Sequence, residues 1–379
     1  MRTALAGLIF GLVFLALGAI SCAPQHHAGD DDQSPAEDDD NNSPDDDDND
    51  DFVWTRMSGR FPPLQAVWGT SASNVFAAGW YFSKRKTAIY HYDGVSWSPM
   101  VFASNGQQYG VDVFGLWGPS PTDVFAVGVN FDNQAIWRDD GPSWQVSYES
   151  PEEPGYAWLT GIWGASASDV FAVGSWEGQA EITSYGYVFH FDGTSWSEGC
   201  APNIWLNAVW GSSPSDVFAV GVDDDYEPDG VALIVHYDGS TWSSMHVEEM
   251  SGIGGVAGIW GSSPSDVFAT AENNDNANNS ILHYDGSSWS VMGGGPFPNL
   301  IGLWGTSGSD IYTVGGNSDG TCAILHFDGL SWSAMPINAP GSLVAVWGSS
   351  PGDVFAVGGY TYGDDDSEAG VIFHYGPPE

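Results

Sequence analysis

Three groups of residues in this chain have the types and spacing to do chemistry. The first is a histidine series: His91, His190, His236, His283, His326 and His374, with Arg138 in the corresponding place of one further segment. Each follows an acid or amide that opens an apolar run, namely Asn74, Asp123, Asp169, Asp216, Asp266, Asp310 or Asp353. A histidine near a carboxylate suggests a base with its orienting partner, and a set of histidines suggests a ring of metal ligands. Regular recurrence argues for scaffold instead. No serine or cysteine nucleophile is singled out. The expectation is local pairing within each segment, as in Asp216–His236, Asp266–His283 and Asp353–His374, with Asn74–His91 and Asp123–Arg138 as variants.

The second group is acidic. In "DDDYEPDG", Asp225, Glu227 and Asp229 precede Gly230 at the alternating-oxygen spacing that calcium loops use. A downstream bidentate glutamate is missing, so calcium is one reading and a solvated acidic loop the other. Such loop carboxylates could also serve a polysaccharide-acting glycosidase or lyase. A glycosidase needs two carboxyls held about 5 to 9 Å apart, and the spacing of the acids does not show that any two converge.

The third group is aromatic: Trp80, Tyr81, Trp176, Tyr226, Tyr360 and Tyr362, with Tyr156, Trp158 and Trp205 in neighbouring connections. Aromatic faces beside carboxylates and amides hold sugars by stacking and hydrogen bonding. Trp205 reads as a core residue at a loop root. Lys84, Arg85 and Lys86 form a basic cluster that could receive an acidic partner.

A repeat must position all of these residues. The pair Trp-Gly recurs at Trp68, Trp117, Trp163, Trp210, Trp260, Trp304 and Trp347, 43 to 50 residues apart. A period in the forties with several strands per unit is a propeller signature. Each unit reads as four strands: one ending in Trp-Gly, one of the type "DVFAVG", one ending in "ILHYDG" or a variant, and one of the type "SWSxM". The second is almost wholly apolar, as a strand buried on both faces requires. Two residues before each Trp stands Ala66, Gly115, Gly161, Ala208, Gly258, Gly302 or Ala345. Small side chains at this position fit an innermost strand crowded at an axis.

Two connections keep one length throughout. The step from the Trp of Trp-Gly to the acid or amide is always 6 residues, and so is the step from the His or Arg to the next Trp. The other two connections vary, at 10 to 16 and 14 to 20 residues. The sequence therefore predicts one constant face and one variable face, with any binding site on the variable one. The last unit has only three strands, while "FVWTRM" stands as an orphan fourth strand before the first unit. Pairing the two closes the ring and removes an open edge.

On these repeats the chain resembles the seven-bladed β-propeller, all-β with four antiparallel strands per blade, over residues 52–375 of a propeller domain that spans 52–379. It is also similar to the propeller-type lipoproteins of Gram-negative bacteria. The Asp-box spacing of sialidases and a kelch Gly-Gly pattern are absent.

The N-terminal region is of another kind. Arg2 and an apolar run from Ala4 to Ile20 read as a secretory signal peptide over residues 1–21. The ending "GAISC" resembles a lipobox with Cys22 as the lipidated residue. Residues 22–51 then form an acidic linker, "DDDQSPAEDDDNNSPDDDDNDD" at its core, with almost nothing to bury. A flexible chain of this length reaches about 30 Å. The remaining cysteines, Cys200 and Cys322, fall in different repeats and are expected to be unpaired thiols. With 49 acids against 7 bases, the chain lacks the basic surface that nucleic acids need. The resulting expectation is a monomeric, non-enzymatic binding module of the outer membrane. Its lipid anchor holds it on the periplasmic side or the cell surface, and its variable loops recognise a glycan or an envelope protein.

Overall fold

A computed structural model describes residues 52–81, 86–101, 111–131, 133–139, 144–151, 155–178, 184–202, 204–223, 231–245, 252–273, 279–292, 299–360 and 369–377. The strands form seven antiparallel four-stranded sheets. The innermost strands are Leu64–Ser71, Val111–Ser120, Gly155–Ser166, Ile204–Ser213, Ile253–Ser263, Asn299–Ser307 and Ser342–Ser350, in blades one to seven. Each contacts the innermost strand of the next blade, and the seventh contacts the first, so the ring closes. This is the all-β, seven-bladed propeller that the repeats predict.

The core sits between blades, and the second strand of each blade is its centre. In Asp216–Asp223, for example, Val217 to Gly221 are all buried. Each second-strand aromatic ring reaches into the next blade. Phe218 lies 5.6 Å from Tyr284 and 6.3 Å from Trp289, and Phe355 of blade seven meets Tyr92 and Trp97 of blade one. Aromatic pairs of this kind contribute about 0.5–1.5 kcal/mol each beyond area burial.

The Trp-Gly pair has a direct steric cause. The tryptophan ring of one blade lies over the glycine of the next, all the way round the ring. A methyl group on Gly164 would stand 2.5 Å from the Trp117 ring, and one on Gly69 would stand 2.7 Å from the Trp347 ring. The glycines two places before the Trp in blades two, three, five and six are explained in the same way. At Gly258 a Cβ would fall 2.2 Å from the Ile301 carbonyl of the adjacent blade. The residue just before it, from Gln65 in blade one to Val344 in blade seven, is a bulge in the pairing of the first two strands.

Blade five shows compensation. Elsewhere "DVFAVG" ends in glycine, because the first strand crosses too close for a Cβ; at Gly221 it would meet the Trp205 carbonyl at 1.7 Å. Blade five carries Ala271 there, and its first strand has an additional register shift between Ile253 and Gly255.

Blade seven is built from both ends of the propeller. Val53–Arg56 pairs with Gly370–Gly376 as its outermost strand. The match to the internal repeats extends to single atoms. Met57 N donates to the Ile372 carbonyl at 2.9 Å, as Met100 N donates to Ile89 at 2.8 Å. The Trp54 indole N–H donates to Met335 Sδ at 3.2 Å, and that of Trp97 donates to Met57 Sδ at 3.1 Å. The short "VWTRM" strand thus fills the same socket as the internal "SWSxM" strands.

Candidate functional site

The constant face is wired as scaffold. Each histidine Nε2 meets its own blade's acid: His190–Asp169 at 3.0 Å, His236–Asp216 at 2.7 Å, His283–Asp266 at 2.8 Å, His326–Asp310 and His374–Asp353 at 2.7 Å. His91 meets Asn74 Oδ1 at 2.5 Å. Arg138 grips Asp123 with two bonds of 2.6 and 2.8 Å, its guanidinium 4.7 Å over the Phe125 ring. In four blades a hydroxyl donates to the second carboxylate oxygen: Ser212 to Asp216, Ser262 to Asp266, Thr306 to Asp310 and Ser349 to Asp353.

This hydroxyl–carboxylate–imidazole order is not that of a nucleophilic triad, in which the imidazole stands between acid and hydroxyl. Here the carboxylate is central, and among the described residues no hydroxyl bonds the imidazole. Its ring rests on a second-strand aromatic ring instead, for example 4.3 Å from Phe171 for His190.

The Asp-Gly turns complete this face. Gly94, Gly193, Gly239, Gly286 and Gly329 have φ near +90°, a conformation that glycine reaches without strain. The preceding aspartates accept two backbone N–H bonds each, as Asp93 does from Val95 and Ser96 at 2.9 and 2.8 Å. Such bonds hold these carboxyls below the usual carboxylate range. Asp238 accepts a further bond from the Ser240 hydroxyl, the largest cause of its pKa falling to about 2.

The variable face is less uniform. Trp80, Trp176 and Tyr360 stand half-buried at the corresponding ends of the second strands of blades one, three and seven. They sit on three separate blades, and no described contact joins them. Tyr81 and Lys86 lie in strands, but their side chains fall outside the described residues. So do Lys84, Arg85, Tyr226, Tyr362, the calcium candidates Asp225, Glu227 and Asp229, and Cys22. Among the described residues no group of three or more His, Cys, Asp or Glu could hold a metal ion. Cys322 is a free, buried thiol, and burial pushes its pKa up to about 11. The side chain of Cys200 lies outside the described residues.

Aromatic residues gather on the variable face of blades three and four. Trp158 and Trp205 meet across the blades with ring centroids 5.3 Å apart and planes tilted by 54°. Trp205 is half-buried in this pair instead of sunk in the core. Trp176 tilts against Tyr185 at 5.6 Å, and Tyr156 is exposed. Beside them a crevice of about 80 Å³ opens between blades two and three, lined by Asn133, Gln134, Ser150, Pro151, Ala157, Trp176, Tyr187 and Glu198. Only Trp176 of these is a candidate from the sequence.

The crevice has a structural origin. The outermost strands of blades two and three, Trp144–Glu149 and Trp196–Pro202, run well beyond the three-residue outer strands of Trp97–Pro99, Trp242–Ser244, Trp289–Val291 and Trp332–Ala334. They continue toward the variable face and raise an outer wall there. A signal for this was present in the sequence. The methionine three residues after the fourth-strand Trp, seen at Met57, Met100, Met245, Met292 and Met335, is replaced by Ser147 in blade two and Gly199 in blade three. Accordingly the Trp196 N–H donates to Ser147 Oγ at 3.0 Å where other blades present a thioether.

No family model matches the sequence, and no curated protein does. Solved structures share the fold. The chain is similar to YCF48 bound to a D1 peptide, with TM-score 0.58, 12% identity, and 85% of this chain and 96% of that one covered. It is similar to YCF48 from Cyanidioschyzon merolae, with TM-score 0.55, 11% identity, and 86% and 99% covered. It is also similar to the WD40 β-propeller domain of Doa1, with TM-score 0.57, 12% identity, and 84% and 95% covered. At these identities the likeness is one of fold: the chain is a seven-bladed propeller of the same overall architecture as these proteins.

Proposed function

We propose that the chain is a non-enzymatic binding module that recognises a macromolecular partner, foremost a protein of the cell envelope, through its variable face. The observation that carries this reading is the division of labour between the faces. Repeated acid–base pairs and Asp-Gly turns occupy one face, whereas the other gathers individual aromatic residues and a crevice between blades two and three. A propeller of this fold bound to a D1 peptide gives a precedent for peptide recognition by the architecture. The rest of the reading comes from the N-terminal sequence: lipidation at Cys22, an acidic tether over residues 22–51, and residence at the outer membrane on its periplasmic side or the cell surface, as a monomer.

The test is binding of the mature chain to peptide and glycan arrays, with and without calcium, followed by a turnover assay on every hit. Saturable binding without turnover, lost on substituting Trp80, Tyr81 or Trp176, supports the reading. Cleavage of a bound glycan would replace it with the polysaccharide-acting alternative. Mass spectrometry of the mature N-terminus checks the anchor, which requires an acylated Cys22 and release of the protein by Cys22→Ser.

A further inference from the structure

Resting on the reading that the variable face binds a partner, we infer that the crevice between blades two and three receives a cationic side chain of that partner, a lysine ammonium or an arginine guanidinium. Its lining residues include two aromatic residues, Trp176 and Tyr187, and the acid Glu198, and no lysine or arginine lines it. A ring face attracts a cation through its quadrupole, and a carboxylate pairs with it by charge-assisted hydrogen bonds.

The walls are held in place. Gln134 is 2% exposed. Its backbone N–H donates to Ser150 Oγ at 3.1 Å, and its side-chain amide reaches across to the Ser175 carbonyl of blade three at 3.3 Å. The Tyr148 hydroxyl of blade two donates to Glu198 Oε2 of blade three at 3.0 Å. Glu198 Oε1 makes no described hydrogen bond and is available to a ligand. On the measure of 10–15 Å³ per water, the cavity has room for about five to eight waters, which one extended side chain would displace.

Charge selects among ligands. A net charge of −42 draws cations toward the molecule and repels anions. A neutral sugar gains no such steering, which favours a basic side chain over a glycan at this site.

The test follows the indole N–H resonance of Trp176 in the ¹⁵N-labelled mature chain, identified by its disappearance in Trp176→Phe. The probes are Nα-acetyl-lysine methylamide, Nα-acetyl-arginine methylamide, their neutral norleucine and citrulline counterparts, and methyl glucoside. The expected result is a saturable shift with the two cationic probes alone. Glu198→Gln, at an exposed position, should weaken binding by about tenfold or more, and added salt should weaken it further. Equal shifts with norleucine or citrulline, a shift with methyl glucoside only, or no shift with either cation overturns the inference. A protein partner that binds Glu198→Gln as well as the parent chain overturns it too and leaves the wider reading intact. Conversely, cation binding that depends on Glu198 alongside empty partner arrays upholds the crevice and removes the wider reading.

Discussion

The two faces of the propeller use similar residue types to opposite ends. On the constant face the carboxylates that meet a histidine are engaged within their own blades, by the imidazole and, in four blades, by a hydroxyl as well. On the variable face Glu198 accepts one hydrogen bond from a neighbouring blade, and its other oxygen has no described partner. A polar group committed to a closed local network stabilises the fold, and one left partly uncommitted at a crevice can serve a ligand. Repetition is therefore informative in a negative sense. A constellation present in every blade reports geometry that every blade needs, and function is sought where the repeats differ.

That contrast can be attacked in order of expected effect. The strongest perturbation is in the core that both faces share. Phe218→Ala removes a ring packed against His236, Tyr284 and Trp289 and should cost about 3–5 kcal/mol in chemical unfolding. Gly164→Val, which drives a side chain into the Trp117 ring, should cost about 1–3 kcal/mol. A silent result there would show that the ring-wide Trp–Gly contact is loose.

On the constant face, Asp216→Ala strands His236 and Ser212 together. A loss of about 1–3 kcal/mol is expected, with partner binding unchanged. On the variable face the pattern reverses: Glu198→Gln should stay within about 0.5 kcal/mol of the parent in stability while weakening the ligand. If Asp216→Ala abolished binding and left stability untouched, the assignment of the two faces would be inverted.

The smallest effect concerns blade one, the only blade whose histidine pairs with an amide. Burial, outweighing the opposing influence of Asp93, holds the pKa of His91 below its ordinary 6.5. The unfolded chain then binds the proton more readily, so the neutral ring's contribution is present above about pH 6.5 and is lost as pH falls through the depressed folded value. Asn74→Asp supplies the carboxylate that other blades have. It should raise the pKa of His91 and remove that acid-side loss, as read from the His91 ring resonances against pH. An unchanged His91 titration would show that the acid–histidine pairing is not electrostatically coupled.

Much of the propeller was legible in the chain. The Trp-Gly period counted the blades, and the orphan "VWTRM" strand predicted closure. The antiparallel return of the third strand predicted pairs such as Asp216–His236 whatever the length of the variable connection, because the start of strand two lies beside the end of strand three. The crevice was less legible. Trp176 was visible as an aromatic residue at a strand end, but Tyr187, Glu198 and Gln134 were not, since each sits in an ordinary strand position of its own repeat. The substitution of methionine by Ser147 and Gly199 marked the irregular blades without saying what the irregularity builds.

Local sequence alone determined the blade count, the turn chemistry and the pairing within the six blades of continuous chain, because all of these act over separations of a few dozen residues and recur until they can be counted. Tertiary structure alone decided which side chains of different blades face one another: Trp304 over Gly348, Trp158 against Trp205, Tyr148 onto Glu198. Those contacts depend on the angle and spacing between neighbouring sheets. That geometry is set by the summed packing of the whole ring and not by any one repeat.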